Sequence, residues 1–516
     1  MRRHPAAKAH PPGLPQGRTP AFAGRTAVSG VRWSLSAVLA RQGFQMLCAV
    51  ILARLLGPES YGIISAATVY TTFAALFLDQ GLSSALIQRP EVSRRAAGAT
   101  ATVNLMFAVL IGAVTVVLAP WAGGFFHAPG VTALLLPLAV AIPLKGLAIT
   151  PRAMLSRELL LRQVARADII AAAAGATAGI TAALLGAGYF ALAYQVITTD
   201  LLTSLLLVLA SRGPWPNLHL SEVRPLLAFS LSVFFTDFLA YFSRNVDNIL
   251  VGRFLGVLPL SLYSMAYRIM VVPVQLVGQT VNRMMFPAFS RAAGDTAMVA
   301  GHLLSASRVV AMLAAPPMVY VACAAPELVH VVLGDAWAPA APIVTVLAIG
   351  GIRETLFYIT PSLMKGLGKG RLIVRYETLA AVVQVGGIVV GLQFGLLGVA
   401  VGLVGFGFLL VPVLLAIQSR LSGLRIRRLL GALFPALHSS LWGAAAYLAV
   451  RLLEWPAPAT AAGGLLAFIL AGTAALFLFH RKHLKQFLSQ ARALFARQDT
   501  QRPAAGKDEP LVKEEP

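Results

Sequence analysis

Charged residues are scarce in this chain, and acidic residues are the scarcest. Of 516 residues only 12% are charged, with 20 Asp and Glu against 42 Lys and Arg, while 58% are hydrophobic. A soluble domain has about 25% charged residues, so this composition cannot cover a water-facing surface of this size. A soluble enzyme, a coiled coil, a disordered protein and a secreted disulfide scaffold are therefore excluded, and most of the chain is expected to lie in lipid.

Cysteine and the motifs of soluble enzymes are also nearly absent. Cys48 and Cys323 each lie in an apolar run without a Cys or His at ligand spacing, so we predict neither a metal site nor a disulfide framework. No G-x-x-x-x-G-K-[ST], H-E-x-x-H or G-x-S-x-G motif occurs, and no outer connection is long enough to form a catalytic domain. We predict that the chain is not an enzyme and has no cofactor.

The net charge of +22 indicates a membrane surface more than a nucleic acid. No basic helix or aromatic stacking platform accompanies it, so nucleic-acid binding is not predicted. Basic residues of membrane proteins collect in cytoplasmic loops, where they face anionic lipid headgroups. Membrane lipids are therefore the first partners that the sequence predicts.

Fourteen apolar runs are long enough to cross a bilayer as helices, which needs about 20 residues each. They cover roughly residues 34–55, 61–83, 97–118, 131–150, 167–187, 189–211, 226–252, 259–285, 303–325, 340–363, 373–393, 396–418, 431–451 and 459–480. Basic segments lie at every second connection, which supports this count and places both termini in the cytoplasm. We predict an all-α polytopic membrane protein with about fourteen transmembrane helices, in the cell inner membrane.

A short internal repeat divides the chain into two halves. Residues 53–57 read Ala-Arg-Leu-Leu-Gly and residues 252–256 read Gly-Arg-Phe-Leu-Gly, so that Arg54 recurs as Arg253, 199 residues later. Six runs separate the copies, and this even number gives both halves the same orientation in the membrane. The predicted organisation is a basic tail (1–30), two parallel six-helix bundles (31–211 and 225–419), two additional helices (431–480) and a cytoplasmic tail (481–516). Arg54 itself is expected to be an interfacial anchor.

Polar side chains inside the apolar runs are costly and are the candidates for function. In the first, seventh and eighth runs their spacing places them on shared helix faces. These substrate-path candidates are Arg41, Gln45, Asp237, Arg244, Asp247, Arg268, Gln275 and Gln279. An anion that crosses lipid needs cationic partners such as these arginines. Two structural alternatives remain open, namely an ion pair of Arg244 with either acid, and amide side chains that hold helices together.

Other intramembrane charges are expected to be less informative. Lys145 and Glu377 lie near the ends of their predicted helices and are assigned to the membrane interface. Arg353 and Glu354 are adjacent in the tenth run, so we expect their side chains to point in different directions and not to form a simple pair.

The chain resembles polysaccharide flippases of the Wzx type, within the multidrug/oligosaccharidyl-lipid/polysaccharide exporter superfamily. The stretches that carry the resemblance are 53–62, 79–87, 245–256, 262–268 and 286–291. The resemblance implies that a polyprenyl-diphosphate-linked oligosaccharide is moved from the inner to the outer leaflet by alternating access, for lipopolysaccharide or exopolysaccharide synthesis. It also implies a polysaccharide polymerase and export proteins as partners. A cation-coupled multidrug antiporter and a lipid II flippase are the alternatives.

Overall fold

The computed structural model describes residues 23–79, 82, 86–87, 92–211, 215–219, 221, 223, 227–481 and 483–484. These residues form helices joined by short turns, without any β-strand, which confirms the all-α class. The first half, residues 23–211, contains α1 (Ala23–Asp79), α2 (Arg94–Phe125), α3 (Pro129–Arg157), α4 (Leu161–Leu184) and α5 (Ala191–Ser211). Residues 1–22 of the predicted basic tail and 485–516 of the predicted cytoplasmic tail lie outside the described residues.

The second half, residues 227–422, repeats this arrangement with more interruptions. Its helices are α6 (Leu227–Phe254), α7 (Val257–Arg291), α8 (Thr296–Cys323), α9 (Ala325–Val332), α10 (Ala341–Phe357), α11 (Thr360–Gly366), α12 (Gly370–Leu392), α13 (Gly395–Leu409) and α14 (Val411–Ser422). A pair of further helices, α15 (Ile426–Arg451) and α16 (Ala457–Phe479), follows it and packs together.

Within the described part of the chain, eleven helices are long and apolar enough to cross a membrane. One of them, Met46–Leu78, includes parts of the first two predicted runs. Gly57 separates these two parts, because its non-helical backbone (φ 71°, ψ 172°) interrupts α1. The helix of the eighth run, α7, contributes the shorter apolar stretch Val257–Val271. The multi-pass architecture is thus confirmed, while the count of about fourteen crossings stays a prediction.

The internal repeat in the sequence is also a repeat in space. Gly256 has nearly the same backbone as Gly57 (φ 96°, ψ 179°) and separates α6 from α7. Ser65 and Ser264 are 199 residues apart, as the two copies are, and their Oγ atoms form a hydrogen bond of 2.9 Å. Equivalent residues of two parallel halves can meet only near the axis that relates the halves. We therefore place the pseudo-two-fold axis at the contact between Ser65 and Ser264.

The buried core is continuous across the two halves near Gly57. Trp337 lies in a short 3₁₀ segment of the second half and is fully buried. Its Nε1 donates a hydrogen bond of 3.0 Å to the carbonyl of Ala53, and its ring meets Tyr61 edge-on at 5.6 Å. A large aromatic side chain of one half thus fills a space lined by the other half.

Candidate functional site

Two equivalent arginines hold the halves together at the end of the molecule that contains Gly57 and Gly256, called here the cap end. Arg54 Nη1 donates to the carbonyl of Val331 at 2.9 Å, and Arg253 Nη1 donates to the carbonyl of Phe125 at 3.1 Å. Each arginine therefore binds a carbonyl near the C-terminus of a helix in the opposite half, where a cation is favoured. The expectation that Arg54 is an interfacial anchor was incomplete, since its guanidinium also bridges the two halves.

Further from the cap end, α1 and α6 are joined by aromatic side chains. The ring of Phe73 packs against Tyr241 at 5.6 Å and against Phe242 at 5.9 Å. The hydroxyl of Tyr241 donates a hydrogen bond of 2.7 Å to the carbonyl of Val69. Because this hydroxyl is already bonded to the backbone, Tyr241 acts in packing the two halves.

Asp247 is buried on α6, and its carboxylate is hydrogen-bonded to residues of α6 and α7. Its carboxylate accepts hydrogen bonds from the hydroxyl of Tyr263 at 2.9 Å and from the backbone N–H of Asn248 at 2.8 Å. Among the described residues no ion pair joins it to Arg244. The geometry gives Asp247 the role of holding α6 against α7 beside the turn at Gly256.

We expect Tyr263→Phe to destabilise the protein by about 1–3 kcal/mol, because it leaves a buried carboxylate without one of its donors. Thermal unfolding of the protein purified in detergent measures this change. Tyr189→Phe is the control, since the hydroxyl of Tyr189 has no hydrogen-bond partner among the described residues. Equal stability of the two variants would contradict the assignment of Asp247 to the α6–α7 contact.

Arg244 is exposed and interacts with charged and aromatic residues of the second half instead. Its guanidinium lies within electrostatic range of Tyr267 on α7, Tyr358 after α10 and Glu377 on α12. Glu377 in turn interacts with Glu354 and Lys365. Together with Arg353, these charged residues form what we call the second-half cluster, consisting of Arg244, Arg353, Glu354, Lys365 and Glu377.

The prediction that Arg353 and Glu354 do not pair was wrong. Arg353 Nη2 lies 2.7 Å from Glu354 Oε2, and Arg353 Nη1 donates to the carbonyl of Gly407 at 3.2 Å. Adjacent helical residues do leave the helix in different directions, but the arginine side chain is long enough to fold back to its neighbour. This contact therefore joins two members of the second-half cluster.

The first half has its own intramembrane charges between α3, α4 and α5. Arg152 binds Asp168 through two hydrogen bonds, of 2.6 and 3.0 Å. Asp200, in the middle of α5, interacts electrostatically with Lys145 and Arg152. Lys145, which the sequence assigned to the membrane interface, thus has an acidic neighbour on a helix that crosses the membrane.

A second repeat, which the sequence reasoning missed, could have identified these acids. Residues 161–168 read Leu-Arg-Gln-Val-Ala-Arg-Ala-Asp, and residues 370–377 read Gly-Arg-Leu-Ile-Val-Arg-Tyr-Glu. Asp168 and Glu377 are each the eighth residue of their helix, α4 and α12. These copies are 209 residues apart, so a search at the 199-residue spacing of the first repeat does not find them.

The remaining predicted residues are distributed between the halves. Arg268 is half-buried and lies within electrostatic range of Cys48 and Tyr61 in the first half. Gln275 is half-buried on α7. The side chains of the other four candidates lie outside those that the structure describes, namely Arg41, Gln45, Asp237 and Gln279. Arg268 thus acts electrostatically on residues of the first half, and Arg244 acts on residues of the second half.

One amide of α7 supports the structural alternative for this helix. Asn282 Oδ1 accepts a hydrogen bond of 2.6 Å from the hydroxyl of Ser362 on α11, which is how amides hold membrane helices together. In the part of the chain that the structure describes, no three His, Cys, Asp or Glu side chains are grouped closely enough to hold a metal ion.

Comparison with known proteins identifies the family. The family model described as polysaccharide biosynthesis protein matches residues 51–342, which is more than half of the chain. The chain belongs to this family. The resemblance found in the sequence is thereby confirmed.

Characterised relatives and solved structures agree with this assignment. The chain is 27% identical over 375 residues to the succinoglycan biosynthesis transport protein ExoT of Rhizobium meliloti (strain 1021), covering 72% of this chain and 76% of the relative. It is 24% identical over 423 residues to the lipopolysaccharide biosynthesis protein WzxC of Escherichia coli (strain K12), covering 80% of this chain and 84% of the relative.

The fold itself is that of known exporters. A lipid II flippase MurJ in an inward closed conformation superposes with a TM-score of 0.69 at 13% identity, over 88% of this chain and 100% of that one. An inward-facing multidrug resistance transporter of the MATE family superposes with a TM-score of 0.60 at 17% identity, over 77% of this chain and 99% of that one. At these identities the similarity establishes the fold and nothing finer.

Proposed function

We propose that this protein is a flippase that moves a polyprenyl-diphosphate-linked oligosaccharide from the inner to the outer leaflet of the cell inner membrane. The observation that carries the proposal is the pair of parallel halves that meet at Ser65 and Ser264 and are closed together by Arg54 and Arg253. Such an arrangement suits alternating access. The family and the names of its relatives favour a cargo used in surface polysaccharide or exopolysaccharide synthesis.

The distribution of basic residues supports an outward position for the cap end. Its connections at 57–60, 121–130 and 326–342 are poor in Lys and Arg, whereas 152–166 and 420–428 at the opposite end are rich in them. Since basic loops stay in the cytoplasm, the cap end faces outward and the termini face the cytoplasm. The two arginine contacts then close the outer gate.

Opening this gate requires both arginine contacts to break. A hydrogen bond that involves a charged group contributes about 1.5–3 kcal/mol, but the Arg54 contact is exposed and contributes less, so the pair favours the closed state by about 2–4 kcal/mol. This stabilisation of the closed state is large enough to keep the gate closed at rest. It is small enough for the binding of a cargo to shift the equilibrium to the open state. The halves rock about the contact between Ser65 and Ser264, which lies eight residues, or about 12 Å, from Gly57.

The charge of the second-half cluster supports an anionic cargo. It contains three cations and two acids, so its net charge is positive. Arg244, exposed beside Glu377, is the group that would bind the diphosphate, and the acids would hold the cations when no cargo is bound. A transporter of cationic drugs would need an excess of acidic side chains instead. Arg268, Gln275, Gln279, Arg41, Gln45 and Asp237 remain proposed path residues.

A flipping assay with purified protein in liposomes tests the proposal. We expect protein-dependent exposure of a labelled polyprenyl-diphosphate oligosaccharide to an external sugar-modifying enzyme, and a further increase under a proton gradient. Lipid II and a fluorescent organic cation are the comparison cargoes. Preferential movement of lipid II would change the cargo to the cell-wall precursor, and gradient-driven movement of the cation alone would assign the protein to the multidrug antiporters.

A further inference from the structure

A cavity of about 410 Å³ lies in the first half, between α2, α3 and α5. Its walls include Ala101, Leu147, Leu201 and Leu205, and Trp215 lies at one end. Its volume falls in the range of ligand-binding pockets, about 300–1,000 Å³. All of its walls come from the first half and the segment directly after it, so the cavity is separate from the contact between the two halves.

The lining is suited to hydrocarbon. Two side-chain hydroxyls belong to it, those of Ser204 and Ser211, and both already donate to backbone carbonyls, at Leu144 and Val208. Apart from the indole N–H of Trp215 at one end, these side chains offer a polar ligand few replacements for its hydrogen bonds to water. An alkyl chain has no hydrogen bonds to water to lose, and it would gain dispersion contacts with the leucines.

The cavity opens toward lipid. Leu147 continues a stripe of exposed apolar side chains along α3 that includes Leu136 and Val140. On the other wall, Leu201 and Leu205 of α5 are about half exposed. Exposed apolar stripes on membrane-crossing helices face acyl chains, so the molecules next to the mouth of the cavity are lipids.

Two cations lie beyond one end of the cavity. Arg94 precedes Ala101 by seven residues, so it lies on the same face of α2, two turns or about 10 Å nearer the helix start. Arg94 and Arg95 are both exposed. The segment that contains Trp215 is fixed beside them, because Asn217 donates a hydrogen bond of 2.9 Å to the carbonyl of Arg95. Basic residues near the membrane surface attract anionic lipid headgroups.

We propose that this cavity binds one acyl chain of an anionic phospholipid, with the phosphate of the lipid against Arg94 and Arg95. The apolar walls select a hydrocarbon chain, and the two arginines select a negative headgroup. Because the cavity is built by the first half and by a segment that is hydrogen-bonded to α2, the lipid stays with that half while the halves rock. It is a resident lipid and not the transported cargo, so the proposal does not depend on the identity of the cargo.

Native mass spectrometry of the full-length protein, purified in detergent, tests this site with phosphatidylglycerol and phosphatidylethanolamine as probes. We expect one phosphatidylglycerol to be retained at least fivefold more than phosphatidylethanolamine. Ala101→Phe, which fills the cavity, should reduce the retention of phosphatidylglycerol at least fivefold. Arg94→Glu/Arg95→Glu should abolish the preference for the anionic lipid. Leu205→Trp narrows the cavity from the other wall and is used if Ala101→Phe does not fold.

Matched substitutions elsewhere serve as controls. Val109→Phe adds the same ring to an exposed position of α2 outside the cavity, and Arg291→Glu reverses an exposed charge at the end of α7. Both should retain phosphatidylglycerol as the unmodified protein does. Equal retention in the cavity-filled variants, or equal retention of the two phospholipids, would overturn the proposal. Displacement of phosphatidylglycerol by an equimolar polyprenyl phosphate would also overturn it, because the cavity would then bind the lipid tail of the cargo.

Discussion

The double variant Arg54→Ala/Arg253→Ala is expected to open the cap end and to reduce transport at least tenfold. Each substitution removes a charged donor from a carbonyl of the opposite half. The closed state then loses about 2–4 kcal/mol of stabilisation, and every 1.4 kcal/mol changes the ratio of open to closed molecules tenfold. A transporter that cannot close its outer gate cannot return to accept new cargo, so export fails although the protein is inserted.

Cysteine accessibility measures this opening directly. Ala53 is fully buried, and its carbonyl accepts a hydrogen bond from Trp337 of the second half. In a background with Cys48→Ala and Cys323→Ala, an Ala53→Cys probe should react slowly with a membrane-impermeant maleimide. Adding the two arginine substitutions should accelerate its labelling more than tenfold.

A third arginine at the cap end provides the control. Arg451 forms an ion pair of 2.9 Å with Glu327, but α15 and α9 both lie after the first half, so this pair does not bridge the two halves. Arg451→Ala should therefore leave the labelling of the probe unchanged. If the cysteine probe is labelled no faster in the double variant than in Arg451→Ala, the two arginine contacts do not form the gate.

Reversing the charge at Arg244 is expected to abolish polysaccharide export while leaving membrane insertion intact. Arg244 is exposed and interacts with Glu377 and with two tyrosines of the second half. Arg244→Glu would place three acids in the second-half cluster and would repel a diphosphate. We expect a tenfold to hundredfold loss of flipping in liposomes, since the cargo loses a charge-assisted contact that contributes about 1.5–3 kcal/mol and meets a like charge instead.

A charge exchange separates an effect on cargo from an effect on folding. Arg244→Glu/Glu377→Arg restores the balance of charge within the second-half cluster, so it should recover at least part of the flipping activity. Arg291→Glu, which reverses an exposed charge outside this cluster, should be as active as the unmodified protein. Full activity of Arg244→Glu would remove Arg244 from the substrate path.

Much of the architecture could be predicted because it depends on local composition. Long apolar runs predict membrane-crossing helices from their length alone, and the repeat of Arg54 and Gly57 predicts two parallel halves. In the structure the repeat corresponds to two glycines with a similar backbone conformation, Gly57 and Gly256, and to a direct hydrogen bond between Ser65 and Ser264.

The contacts that join distant segments could not be predicted in this way. Arg54 binds a carbonyl 277 residues further along the chain, and nothing in the sequence around Val331 distinguishes that carbonyl from its neighbours. The pairing of Arg353 with Glu354 depends on a side-chain conformation that helical spacing does not fix. Residue spacing predicts which face of a helix a side chain occupies, but the neighbouring helices decide what that face contacts.

The central claim is that the two halves rock about an axis near Ser65 and Ser264, and a cross-link at that point tests it most directly. In the cysteine-free background, Ser65→Cys/Ser264→Cys should form a disulfide, because the two side-chain oxygens are only 2.9 Å apart. A pivot does not separate during the cycle, so the oxidised protein should flip cargo within twofold of the reduced protein. Loss of flipping on oxidation, with recovery on reduction, would show that the halves separate at this contact and would contradict the account.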